Sequence, residues 1–259
     1  MLHHSRLVLA FSLPLALAVS GCSKPADKPA EPASTTPAVA SKAEVRAHMD
    51  DHFTRVRAVQ EAVIRGDLDG AKVPAQWIVD HQETTGLPAG TEAQVALVKE
   101  AAKAVTAAAD VATAAKSAAT LVGACGDCHA AANVKAHMPL VMLADTKPGK
   151  AAHMAEHQQA IDMLYHGLVA PNDGDWTKGA EALKGAPLGA KEMPEAKDAL
   201  AAEKDVHKLG EAALKAADRP AKVAVYGDVL GSCASCHGIH GRVWGPGAPE
   251  PEQKEAEKK

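Results

Sequence analysis

The chain has 259 residues, with 28 Lys and Arg set against 32 Asp and Glu, for a formal charge of -4. That balance excludes a nucleic-acid binder that relies on a basic face. Aromatic residues make up only 3% while apolar residues reach 47%, and 56 residues are alanine. Alanine is the best helix former and a poor core filler, whereas strands favour aromatic and β-branched residues. Composition therefore predicts an all-α protein whose core is short of bulk.

In chain order, residues 1–21 come first. Arg6 precedes an apolar run over 7–19, too short to span a bilayer as an ordinary helix. Ser20-Gly21 directly before Cys22 resembles a bacterial lipoprotein signal, which implies cleavage before Cys22 and lipid attachment to it. Ser23 after that cysteine resembles the pattern of outer-membrane retention. Residues 22–43 are rich in Pro, Ala, Lys and Glu, and read as an extended tether.

Two tandem units follow, 44–143 and 147–243, joined through Pro148-Gly149, with a charged tail over 244–259. The repeat shows in matched segments. His48-Met49 with His52 matches His153-Met154 with His157 at an offset of 105. Ala108-Ala109-Asp110 matches Ala216-Ala217-Asp218 at 108, as does Gly66-Asp67 with Gly174-Asp175. An insertion of three residues near Ala170-Pro171-Asn172 reconciles the offsets.

Each unit reads as an antiparallel four-helix bundle. Ser41 with Glu44 is a capping-box start. Val45, Met49, His52, Val56, Val59 and Val63 then recur at steps of three and four, the seam of a packed helix. Gly66 ends it, a second helix runs from Leu68 to about His81, and Thr91 is a cap for the third. Asp218-Arg219-Pro220 is a helix start, which the repeat carries back to Asp110. In the second unit the seam runs through Met154, His157, Ile161, Leu164 and Leu168.

The fourth helix of each unit ends on Cys125-Gly126-Asp127-Cys128-His129 or on Cys233-Ala234-Ser235-Cys236-His237. C-x-x-C-H is the attachment signature of c-type haem. Both thiols form thioethers to the porphyrin, and the adjacent histidine ligates the iron. Other readings fit less well. A thioredoxin-like motif needs a βαβ context, a shared zinc site needs the two motifs to converge, and a two-residue gap within a helix suits a disulfide poorly.

Four helices with C-x-x-C-H on the last resemble the class II, cytochrome c′-type, cytochromes c, here as two copies over about 200 residues. The resemblance implies two c-type haems, held covalently by Cys125, Cys128, Cys233 and Cys236, with His129 and His237 as proximal iron ligands. It implies an electron carrier rather than an enzyme, working with redox partner proteins at the periplasmic side of the envelope and bound to the membrane through its lipid anchor.

The first helix of each unit supplies the distal side. In an up-down-up-down bundle it begins where the fourth helix ends. His52 lies about 8 residues into it, or ~12 Å along. His52 and His157 on the seam are the preferred sixth ligands, because a buried imidazole needs partners for both ring nitrogens. Met49 and Met154 are the alternative pair, and His48 and His153 lie one position off the seam. An open distal side would instead imply binding of nitric oxide or carbon monoxide. His81, His166 and His207 lack repeat partners and are expected at the surface. The porphyrins would supply the flat apolar bulk that the few aromatics do not, giving two thin cores.

Overall fold

A computed structural model describes residues 41–82, 86–136, 150–185 and 197–240. Within these the fold is all-α: α1 (Lys42–Ile64), α2 (Leu68–Asp80), α3 (Glu92–Thr106), α4 (Val111–Ala131), α5 (Lys150–Val169), α6 (Asp173–Leu183), α7 (Lys197–Lys215) and α8 (Arg219–His240). The segment 1–21, Cys22, the tether as far as residue 40, the Pro148-Gly149 joint and the 244–259 tail lie outside the described residues. No described helix is long and apolar enough to cross a membrane.

The helix starts follow local chemistry. The Ser41 side chain accepts from the Glu44 amide, and the Glu44 carboxylate accepts from the Ser41 amide at 2.6 Å. Asp110 caps α4 through the Thr113 amide, and Asp218 caps α8 through the Ala221 amide. Gly66 stops α1 with φ +74, a conformation that costs glycine little. Thr91 precedes α3 but does not cap it; its hydroxyl donates to the Pro88 carbonyl instead.

The caps also correct the repeat alignment. Asp67 caps α2 and Asn172 caps α6, an offset of 105. The three-residue insertion therefore falls after the start of α6, not near residue 171. Gly174-Asp175 is already inside the helix, so its likeness to Gly66-Asp67 is not structural.

Consecutive helices pack within each repeat, yet among the described residues α4 also packs along α8, across the repeats. Small residues make it. A Cβ built on Gly123 would stand 2.7 Å from Val223 Cγ2, one on Gly227 3.3 Å from Ala119 Cβ, and one on Gly231 3.8 Å from Ala115 Cβ. One set of numbers rises as the other falls, so α4 and α8 run antiparallel. The first helices join the contact crosswise, α1 against α8 and α5 against α4. Arg57 on α1 pairs with Asp162 on α5, and the Tyr226 hydroxyl on α8 donates to Gln60 Oε1 on α1 at 2.8 Å.

The consequence is one continuous apolar core that draws on both repeats, in place of two thin ones. Its buried aromatics are Tyr165, Trp176 and Tyr226, all from the second repeat. A leucine at Gly227 would force α4 and α8 apart, because its Cβ would also lie 3.1 Å from the Lys116 Cα. Overpacking of this kind costs about 1–3 kcal/mol. Thermal unfolding of Gly227→Leu should show that loss, and an unchanged midpoint would count against the close α4–α8 contact.

Candidate functional site

The two C-x-x-C-H motifs sit at opposite ends of the antiparallel α4–α8 pair. Ala119 lies beside Gly227. His129 is ten residues past that point in one direction and His237 ten residues past it in the other. At 1.5 Å per residue the two histidines stand about 30 Å apart along the axis.

Each motif presents the same donors. Within a motif the two cysteines are three residues apart on one helix, so they share a face. All four thiols are free. Burial pushes the Cys125 and Cys233 thiols up to about 12 and raises Cys128 and Cys236 as well. The motif histidines are half-buried and oriented alike. His129 Nδ1–H donates to the Val169 carbonyl at 2.9 Å, and His237 Nδ1–H donates to the Ile64 carbonyl at 2.9 Å. Those carbonyls end α5 and α1, where a helix leaves its last acceptors unpaired. The hydrogen bonds fix the tautomer, with the proton on Nδ1 and the lone pair on Nε2.

The candidate distal residues form matching pairs. The His48 and His52 rings lie 4.3 Å apart at 53°, and the His153 and His157 rings 4.3 Å apart at 55°. Met49 and Met154 are half-buried on the same helices. Beyond this the sites differ. In the first repeat His52 Nε2–H donates to the His81 carbonyl at 3.2 Å and its ring meets the edge of Trp77 at 5.6 Å. Trp77 stacks on His81 at 4.1 Å. Burial lowers the His52 pKa, with His48 adding to the effect.

In the second repeat the histidines meet a carboxylate that sequence reading passed over. Glu203 on α7 is 3% exposed, with Oε1 at 2.5 Å from His153 Nε2 and 3.4 Å from His157 Nε2. The three ligand atoms lie within 4.8 Å of one another. Burial brings the His157 pKa down to about 4, Glu203 opposes that shift, and His153 and His237 add to it. Glu203 also raises both motif thiols, Cys233 and Cys236. So α5, α7 and α8 bring His153, His157, Glu203, Cys233, Cys236 and His237 into one neighbourhood. The repeat offset puts Val95 at the matching position in α3. That substitution was visible as an unmatched acid in an apolar series of α7.

Of the histidines expected at the surface, His81 is exposed and His207 half-buried. His166 departs from the expectation. It is buried, with Nδ1 bonded to the Asp175 carboxylate. The acid lies nine residues away, across the α5–α6 turn, and satisfies Nδ1, while Nε2 is buried without a hydrogen-bond partner. An apolar cleft between α3, α4 and α8, lined by Leu97, Ala101, Thr120 and Val223, contains none of the motif cysteines or histidines.

Compared with known proteins, the chain matches no family model, no curated protein and no solved structure.

A c-type haem fits the donor set: two thiols on one helical face, followed by an imidazole whose Nδ1 is held by a carbonyl and whose lone pair is on Nε2. The thiols also yield a direct test. In chain prepared without haem, alkylation near neutral pH should reach Cys128 and Cys236 first. Cys125 and Cys233 should lag roughly tenfold or more, because reactivity follows the exposed thiolate. Peptide mass spectrometry checks the order, and equal rates at all four would contradict the burial described here.

Proposed function

We propose that the chain is a dihaem c-type cytochrome, similar to the cytochrome c′ class, that passes single electrons at the bacterial cell envelope. It is held by lipid on Cys22 at the periplasmic side of a membrane, the outer one preferred, and exchanges electrons with redox partner proteins. The observation that carries this reading is the matched pair of motif histidines. Each follows two free thiols on one helical face, and each has Nδ1 committed to a backbone carbonyl, which leaves the lone pair on Nε2.

Cys125 and Cys128 would hold one haem with His129 on its iron. Cys233 and Cys236 would hold the other with His237. Haem, when bound, supplies one-electron redox chemistry. The chain's residues tune it. The Val169 and Ile64 carbonyls orient the proximal rings and raise their basicity, as partners of a ligating histidine do. His52 and His157 are the proposed distal ligands, with Met49 and Met154 as the alternative pair and His48 and His153 after them. Depressed pKa values suit His52 and His157 to this role, since only the neutral imidazole ligates.

The sites are chemically unequal, with Glu203 beside the distal histidines of the second repeat and Val95 at the matching point of the first. A buried carboxylate favours the more positive, oxidised iron. The second haem therefore has the lower potential of the two as far as this group sets it.

The convergence of His153, His157 and Glu203 favours a second reading of that one cluster. Two imidazoles and a carboxylate also suit a small divalent cation. Metal analysis of the holoprotein separates the two, since the haem reading requires two irons and no further transition metal.

The deciding experiment is a covalent-haem assay combined with near-infrared magnetic circular dichroism of the ferric protein. Two haems per chain without a methionine-to-iron band are expected. A methionine band from both haems would transfer the distal role to Met49 and Met154, and rapid carbon monoxide binding by the reduced protein would favour a gas-binding haem protein. Glu203→Val should raise the potential of one haem and leave the other unchanged in a redox titration.

A further inference from the structure

The two hydrogen bonds on the motif histidines cross between repeats. His129 belongs to the first repeat and its acceptor, the Val169 carbonyl, to the second. His237 belongs to the second and its acceptor, the Ile64 carbonyl, to the first. Ile64 and Val169 are the last residues of α1 and α5, 105 residues apart, the offset that relates the first helices of the repeats. The arrangement is thus reciprocal, as in an isologous interface where residue i meets j and j meets i.

We infer that the repeats complete each other's haem sites: each proximal histidine is positioned by the repeat that does not carry its cysteines. This rests on the haem reading for what the histidines hold, but the hydrogen bonds stand apart from it. The carbonyls suit the task, because they are unpaired helix-terminal acceptors at the negative end of a helix dipole. Side-chain substitution cannot remove a backbone acceptor, so the clamp depends on where α5 meets α4 and where α1 meets α8.

One clamp carries an additional brace. Arg219, at the start of α8, donates from Nη2 to the Leu168 carbonyl at 2.8 Å and to the Gly123 carbonyl at 2.6 Å, and it pairs with Asp127. It thereby fixes the end of α5 against α4 one residue before Val169. A Cβ at Gly126 would lie 2.0 Å from the Leu168 carbonyl oxygen, so glycine within the first motif is what admits this approach. The repeat places Val111 where Arg219 stands in the second. Val111 cannot make the hydrogen bonds and ion pair that Arg219 makes, so the His237 clamp does not depend on Arg219 and serves as an internal control. Arg219 is a positioning residue, since it acts on His129 only through the end of α5.

The test uses full-length protein, as isolated with its haems, labelled with 15N-histidine and reduced. The ring Nδ1–H signals of His129 and His237 are followed as they exchange with deuterated water. Two slowly exchanging signals are expected. R219Q should speed exchange at His129 roughly tenfold or more and leave His237 unchanged, a split that general destabilisation does not produce. G123V, which drives a side chain into Val223, should release both signals together. If G123V fails to fold, R219Q alone decides. Fast exchange of both ring protons in the unaltered holoprotein would overturn the clamp and leave the haem reading intact. Slow exchange in a chain that carries no haem would overturn the haem reading and leave the clamp. R219Q affecting both histidines alike, or neither, would also overturn it.

Discussion

Antiparallel contact between α4 and α8 governs the rest of the molecule. Ala115, Ala119, Gly123, Gly227 and Gly231 line it, so backbones rather than side chains set the helix spacing. Close approach multiplies the weak dispersion contacts that hold such a pair. It also decides where the chemistry goes. Each motif lies at the C-terminal end of its helix, so the antiparallel arrangement sends the motifs to opposite ends of the pair. There each meets the end of the other repeat's first helix. A parallel pairing would have set both motifs side by side and left both histidines without those carbonyls.

The contact relates the repeats by an approximate two-fold axis, and positions on the axis face their own counterparts. Arg57 and Asp162 are such a pair, equivalent at an offset of 105 and joined as an ion pair. Two identical repeats would place like charges together there, which is unfavourable. One chain carrying two diverged copies can place opposite charges instead. The same freedom shows at Ala119 against Gly227, at Gly126 against Ala234 in the motifs, and at Glu203 against Val95. On the proposed reading, these differences let one architecture hold two unequal electron sites. Some 30 Å of helix separates the proximal ligands. Electron tunnelling falls exponentially with distance, so such spacing suits two terminals facing different partners better than a tight relay.

Local signals were the legible part of the sequence. The Ser41–Glu44 box, the Asp110 and Asp218 caps, the Gly66 stop and the seam through Val56, Val59 and Val63 rest on neighbouring residues, and all recur in the structure. The cysteine motifs were legible for the same reason. What escaped was set by tertiary contact. Alanine and glycine in α4 and α8 signal helix and flexibility in sequence, with nothing to show that they face each other across repeats. The histidine acceptors are backbone carbonyls, which every residue has. Glu203 was hidden because its partners lie 46 and 50 residues away on α5. His166 looked like a surface residue because nothing in its own helix pairs with it.

Aromatic poverty takes on a different meaning in this light. On composition alone, alanine implied thin cores awaiting a large flat group. The polypeptide instead builds a continuous core from valine, leucine and alanine, thickened where the repeats meet by Tyr165 and Tyr226. Tyr226 is fully buried, and its hydroxyl is bonded to the equally buried Gln60 of the other repeat. Alanine therefore does more than leave room: it lets four helices from two repeats approach closely enough to share that core. On the proposed reading, the place for a large apolar partner is then confined to the two ends, where the motif cysteines stand, joined in the second repeat by His153 and His157 of α5. A haem at each end would complete the periphery of a core that already exists, rather than create one.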